Sequence, residues 1–380
     1  MRCLPLVGML LACRSPAGRL PESAPMLVAE GAMVLFDPPD SGKSPTIGSY
    51  RFVLPTVLQD HRFTFIADHG ASGTIITDAA IAAAGLPHRF ARATRADTLV
   101  ARDGVAPAHD STATAVLTRG DSTFEYWGDM EPWVIDSLRV GSTLQEKLLL
   151  LLESPAASLY PTDGMLGRDI LSQFDLEFNL PQRAIRAYGR SSIVAHAPQW
   201  LPSGVRATDC VPARVIQHSM IDTTAMDSTD MKEVRTNPGK RLWEEEELML
   251  PLVMNGRAID AHFDSGSGET LMNWAAARLM GLGPTSPGVA TTSSAPLVLF
   301  QSLARQDRGA LDATTYQVAG MSLRIGDRIL STDSVLISDS AFANFPDALT
   351  KPLILVGLRE FQDDVLFLSY SAGTVCVGRH

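Results

Sequence analysis

One stretch of this chain occurs twice, and the repeat restricts the fold more than any other feature. Residues Leu54–Leu86, LPTVLQDHRFTFIADHGASGTIITDAAIAAAGL, lie without a gap over Leu250–Leu282, LPLVMNGRAIDAHFDSGSGETLMNWAAARLMGL, at a shift of 196 positions. Ten of the 33 aligned positions are identical, among them Leu54/Leu250, Pro55/Pro251, Asp68/Asp264, Gly70/Gly266, Thr74/Thr270 and Gly85/Gly281. In each copy an apolar run ends in an acid, and glycine follows two residues later. Two more elements recur in the same order. Ser137-Leu138-Arg139-Val140-Gly141 matches Ser322-Leu323-Arg324-Ile325-Gly326 at a shift of 185, and Met165-Leu166-Gly167 matches Leu355-Val356-Gly357 at 190. The chain is a duplicated domain, and each copy delivers one carboxylate.

The length supports this. A chain of 380 residues, 45% apolar and 19% charged, can build two cores of ordinary size. Its formal charge of −10 argues against a nucleic-acid surface, which needs clustered Lys and Arg. The N-terminus reads as an address. Arg2 precedes the apolar run Leu4–Ala12, too short for a bilayer core that needs about 20 helical residues, but sufficient for a secretory signal. Leu10-Leu11-Ala12-Cys13 resembles the lipobox of bacterial lipoproteins. That resemblance implies a lipidated Cys13 as the membrane anchor and a periplasmic location, with Arg14 in the next position favouring the outer membrane. A cleaved signal or a misassigned start is the plainer alternative. Cys210 and Cys376 then remain, as a disulfide or as two separate buried thiols. No Cys/His spacing reads as a metal site.

Residues 14–45 read as a tether containing one strand, within Met26–Phe36. The tether also holds Asp40-Ser41-Gly42 in a turn-forming setting, so an acid-Ser-Gly triplet alone carries no information. Over residues 46–190, Phe52–Leu58 and Phe63–Ala67 are predicted strands, the second ending at Asp68. Asp78 is placed to cap a helix over Ala79–Ala84, which Gly85 stops. Turns at 102–104 and 119–121 mark two hairpins, either of which could act as a flap. Leu148–Leu152 reads as a strand buried on both faces, and Phe174–Leu180 with Ala184–Tyr188 as a closing hairpin. Residues 191–245 read as a linker, polar from Gln217 to Lys240, with the acidic run Glu244–Glu247 as a solvated edge or loop. From 246 to 380 the elements recur: strand Glu247–Met254, the hairpin signal Asn255-Gly256, strand Ala258–Phe263, Asp264, and a helix over Trp274–Met280. Val335–Ile337 takes the place of the leucine run, and Val365–Leu368 with Thr374–Val377 closes the lobe.

Two carboxylates brought face to face cannot both ionise cheaply. One keeps a proton well above the usual carboxylate range while the other stays charged, so the pair is acid and base together. A water between them can be deprotonated by one member while the other polarises a carbonyl. Asp264-Ser265-Gly266-Ser267, preceded by Ala261–Phe263, resembles the active-site loop of aspartic proteases. Asp68-His69-Gly70-Ala71-Ser72 resembles the same loop in its retroviral-type form. Met165-Leu166-Gly167 and Leu355-Val356-Gly357 are similar to the strand that packs behind that loop in each lobe of the family. The resemblance spans nearly all of residues 50–190 and 245–380. It implies an all-β fold of two pseudo-twofold-related β-barrel lobes with a cleft between them, the lobes being 46–190 and 246–380, after a signal peptide over 1–13. It further implies a single-chain monomer that binds peptide or unfolded protein and cuts it with Asp68 and Asp264, needing no cofactor and no metal. His69, Gly70, Ala71, Ser72, Ser265, Gly266 and Ser267 would support the dyad.

One position departs from the pattern. The family places Thr or Ser directly after the acid, where its hydroxyl reaches across to the opposite lobe. Ser265 fits and His69 does not. An imidazolium there would lower both aspartate pKa values and spoil the shared proton. Either His69 makes a substitute hydrogen bond, or the chain is a non-catalytic lipoprotein that holds extended peptides in the same cleft. A carboxylate-pair glycosidase is a third reading, but it leaves the duplicated strand-Asp-X-Gly loops unexplained. Ser-His-Asp catalysis finds no nucleophile-elbow pattern.

Overall fold

The computed structural model describes residues 26–35, 49–58, 60–71, 73–85, 114–119, 122–127, 132–152, 162–190, 200–222, 241–292, 314–330, 332, 334–342 and 350–379. The signal with Cys13, the Asp40-Ser41-Gly42 turn, the turn at 102–104 and Ser72 lie outside them. The fold is all-β and two-lobed. The first lobe holds β1 (Leu27–Leu35), β2 (Tyr50–Leu58), β3 (His61–Ala67), β4 (Ile75–Ile76), helix α1 (Asp78–Ala84), β5 (Thr114–Arg119), β6 (Ser122–Trp127), β7 (Pro132–Val140), β8 (Thr143–Leu152), β9 (Gly164–Leu166), α2 (Arg168–Leu171), β10 (Phe174–Asn179) and β11 (Ala184–Gly189). Next come β12 (Cys210–Pro212) and β13 (Arg214–Asp222). The second lobe holds β14 (Arg241–Met254), β15 (Arg257–Phe263), β16 (Leu271–Met272), α3 (Trp274–Leu279), β17 (Val289–Thr292), β18 (Thr315–Ala319), β19 (Leu323–Ile325), β20 (Arg328–Leu330), β21 (Ser334–Ile337), β22 (Ile354–Val356), β23 (Asp364–Ser369) and β24 (Thr374–Arg379).

The two sequence copies build the same core. In the first, β2 and β3 form a hairpin, β9 runs parallel to β3, and β4 lies antiparallel to β9 and parallel to β8. In the second, β14 and β15 form the hairpin, β22 runs parallel to β15, and β16 lies antiparallel to β22 and parallel to β21. The leucine run and Val335–Ile337 thus hold equivalent places, through Ile75↔Leu151 and Leu271↔Leu336. Asn255 and Gly256 turn the second hairpin with φ of 47° and 78°, the left-handed pair that a type I′ turn requires.

The helix cap differs from the sequence pattern. Thr77, not Asp78, is the N-cap of α1: its backbone is extended and its side chain accepts from Ala80 N. Asn273 does the same for α3 through Ala276 N, at the matching position of the repeat. Asp78 comes one residue too late and is the first helical residue.

A shared sheet joins the lobes in the order β12-β24-β23-β10-β11-β1, with strands of the second lobe on one side and of the first on the other. Its centre is the antiparallel pair β10–β23, with Leu176↔Leu368 and Phe178↔Leu366. These side chains are buried, and Phe178 meets Phe52 of the first lobe and Phe263 of the second edge-on. One apolar core therefore continues through both lobes.

The stretch 191–245 is more than a linker. β13 pairs with β14 from Arg214↔Met249 to Ile221↔Arg241, and its other edge takes β5 of the β5–β6 hairpin. Ladder hydrogen bonds satisfy the backbone whatever the polarity of the side chains, so a polar run such as Gln217–Asp222 can be a strand. The acidic run is corrected at its last residue. It lies on β14, and Glu247 is only 1% exposed.

Cys210 and Cys376 face each other on β12 and β24 and form a disulfide. The bridge spans 166 residues and ties the segment after the first lobe to the last strand. Replacing both by Ser is expected to lower the unfolding free energy by about 2–5 kcal/mol. Denaturant midpoints of oxidised wild type and variant would measure this, and equal midpoints would show that the bridge contributes nothing.

Candidate functional site

Each acid begins where a strand meets its parallel neighbour. Asp68 N donates to Leu166 O and Asp264 N to Val356 O, both at 3.0 Å. The chain then turns tightly: Ala71 N donates to Asp68 O at 3.3 Å and Ser267 N to Asp264 O at 3.2 Å. Asp68 Oδ1 accepts from Gly70 N at 2.8 Å and Ala71 N at 3.1 Å, and Asp264 Oδ1 from Gly266 N at 2.9 Å. The two carboxyl groups lie close enough that each acts on the ionisation of the other.

The glycines have a second use besides the turn. A Cβ on Gly70 would stand 2.3 Å from Asp264 Oδ1, and one on Gly266 would stand 2.2 Å from Asp68 Oδ2. Each carboxylate packs over the other loop's glycine, so close approach requires both. Ser267 departs from its expected part. Its hydroxyl donates to Glu269 O and accepts from Glu269 N, bracing its own loop.

A hydrogen bond between two carboxyl groups needs one proton. Burial first, then the adjacent charge of Asp68, pushes Asp264 up to about 8. Burial also raises Asp68, but hydrogen bonds from Asp264 and from the amides of Gly70 and Ala71 hold it back. With both acids raised, the pair is arranged to hold one proton between them at neutral pH.

His69 and Ser265 tie the loops together across the lobes. Ser265 Oγ accepts from His69 N at 2.8 Å and donates to Ala67 O at 2.7 Å. His69 answers through its ring: Nδ1 lies 3.3 Å from Phe263 O. Ala67 and Phe263 are the matched residues before the two acids, so the imidazole supplies the pseudo-symmetric counterpart of the serine bond. Burial, followed by the charge of Arg168, lowers His69 to about 4. The ring is neutral at neutral pH and leaves the shared proton undisturbed.

Beneath the loops lies a second layer of polar groups, in which the repeat marks only the two threonines. Thr74 Oγ1 accepts from Gly167 N at 3.1 Å and donates to Asp169 Oδ1 at 2.8 Å. Thr270 Oγ1 accepts from Gly357 N at 3.2 Å, and the Glu360 carboxyl of the same layer accepts from Thr332 Oγ1 at 3.3 Å. Burial pushes Asp169 and Glu360 each up to about 7. Identity of Thr74 and Thr270 in the repeat, with an acid soon after each glycine, is the sequence signal for this layer. Arg168 Nη1 donates to His69 O at 3.0 Å and Gly70 O at 3.1 Å, and lies 3.4 Å from Glu247 Oε1. Glu247 also contacts His262 Nδ1. Continuing the two hairpin registers sets Arg51 opposite Asp68 and Glu247 opposite Asp264. The Arg51 charge favours ionisation of the acid pair. Among the described residues, no group of three or more His, Cys, Asp or Glu could hold a metal ion.

No protein-family model matches this chain. No curated protein matches it either. Among solved structures, a retropepsin-like aspartic protease from Rickettsia conorii aligns with 42% of this chain and 92% of its own, at 12% identity and a TM-score of 0.24.

Proposed function

We propose that this chain is an aspartic endopeptidase that hydrolyses peptide bonds of extended polypeptides with a water activated between Asp68 and Asp264. The observation that carries the reading is the buried acid pair at the ends of two matched strands, each carboxyl group packed over the other loop's glycine. Ionised Asp68 takes a proton from water as its oxygen bonds to the carbonyl carbon. Asp264 gives its proton to the carbonyl oxygen, which becomes a hydroxyl of the tetrahedral intermediate. In the second half, Asp68 passes its proton to the amide nitrogen, the C–N bond breaks, and the reforming carbonyl returns a proton to Asp264. No covalent enzyme intermediate is formed. The amides of Gly70, Ala71 and Gly266 hold the acids in place without being consumed. In this reading the N-terminal segment anchors the enzyme to the envelope through Cys13.

The test is incubation of the full chain with an unfolded, disulfide-free polypeptide between pH 3 and pH 8, counting new amino termini. Internal cleavage is the expected result, and no new termini at any pH would refute the reading. His69 favours a second one, since it stands where the resemblance calls for a hydroxyl: a protein of the same fold that only binds extended peptide. Activity that appears in His69→Thr from none in the wild type would favour that binding protein.

A further inference from the structure

We infer that Tyr370 is a positioning residue of this site, donating to Nε2 of His69 and so holding the ring where its Nδ1 bridges the two lobes. The inference rests on the peptidase reading and adds to it a residue far from both acid loops. Tyr370 is buried in the turn between β23 and β24, 301 positions from His69, and its hydroxyl lies 2.5 Å from His69 Nε2.

A neutral imidazole carries one hydrogen on either nitrogen. Nδ1 faces the Phe263 carbonyl, which can only accept, so the cross-lobe bond exists only when the hydrogen is on Nδ1. Nε2 then presents a lone pair in a site closed to solvent, where it needs a donor. The Tyr370 hydroxyl is that donor. With the hydrogen on Nε2 instead, two lone pairs would oppose each other at Phe263 O and the bridge would be lost.

Tyr370 is itself held. The Arg190 guanidinium lies 5.5 Å from its ring centroid, and Arg190 Nη2 donates to Tyr370 O at 3.3 Å. Arg190 is anchored in turn on Ser172 O at 3.0 Å and Glu246 at 2.8 Å. The asymmetry of the repeat points the same way. At the shift of 190 that relates the two closing hairpins, Tyr370 corresponds to Leu180. Ser265 carries its own rotatable hydrogen and needs no outside donor, so an apolar residue suffices on its side. An imidazole that spends Nδ1 on the bridge leaves Nε2 to be satisfied, and the tyrosine stands on the side where the histidine is.

The experiment uses the full chain in four forms: wild type, Tyr370→Phe, His69→Thr and the double variant. Peptide hydrolysis is expected to fall about 10²-fold in Tyr370→Phe, mostly in kcat, because the acid loops lose their alignment. In the His69→Thr background, whatever its own rate, adding Tyr370→Phe is expected to change the rate less than threefold. Equal losses in both backgrounds would make Tyr370 merely structural and overturn the inference. Histidine ¹⁵N spectra give a second readout at neutral pH. They should show His69 with its hydrogen on Nδ1 in both proteins, and the Nε2 resonance of Tyr370→Phe moved to that of a nitrogen that has lost its hydrogen-bond donor; a wild-type hydrogen on Nε2, or an Nε2 resonance that Tyr370→Phe leaves unchanged, overturns the inference. The spectra do not depend on turnover. An inactive wild type would sink the peptidase reading alone and leave the spectra to decide the role of Tyr370.

Discussion

Replacing Asp264 by Asn leaves the fold intact and lowers peptide hydrolysis by about 10⁴-fold or more. The amide matches the carboxylic acid in size. Its oxygen can still accept from Gly266 N, and its NH₂ can donate to Asp68 where the acid's proton did. Nothing in the packing should therefore change. What the amide cannot do is release that hydrogen to a substrate carbonyl and take it back. Steady-state turnover on an unstructured peptide, beside a circular dichroism melt, measures both halves of the expectation. Wild-type turnover in the variant would remove Asp264 from the chemistry. A lost melt would show that the acid acts on the fold instead.

Gly266→Ala is expected to be nearly as damaging, although it removes no functional group. The added carbon would fall 2.2 Å from Asp68 Oδ2 and 2.4 Å from its Cγ. Asp68 cannot swing aside freely, because the amides of Gly70 and Ala71 hold its other oxygen. The alanine must push the two loops apart, and a displacement of about 1 Å at a reacting centre costs about 10²-fold or more in rate. Separating the acids also removes the neighbouring charge that helps raise Asp264, so the alkaline limit of activity should move to lower pH. Gly70→Ala should do the same through Asp264 Oδ1. Gly85→Ala makes a useful contrast: its Cβ would meet open space, and its left-handed φ of 60° costs about 1 kcal/mol of stability without touching the site. Equal kcat/KM in Gly266→Ala and wild type would show that the carboxyl groups do not need this approach.

The repeat made half of the site legible because it samples one environment twice. Asp68, Gly70 and Thr74 share their surroundings with Asp264, Gly266 and Thr270, so identity across 196 positions marked them. The same comparison passes over whatever differs between the lobes. Arg51 and Glu247 occupy matched places beside the two acids with opposite charge, and no identity flags them. Tyr370 answers a need of His69 alone, across 301 positions of chain, and that is a fact of tertiary packing. Local pattern failed for a different reason at Thr77-Asp78, where either side chain can cap a helix and the entry angle of the chain decides. From Gln217 to Asp222 a stretch read as polar loop is a strand paired along both edges.

One proton shared between Asp68 and Asp264 is the centre of the account, and the dependence of wild-type kcat/KM on pH tests it most directly, since that ratio reports the free enzyme. Below the raised pKa of Asp68 both acids are neutral and no base remains; above about 8 both are ionised and no acid remains. The predicted result is a bell, with its alkaline limb near pH 8 and its acid limb above the ordinary aspartate range. A rate that climbs without a break through pH 9 would contradict the shared proton.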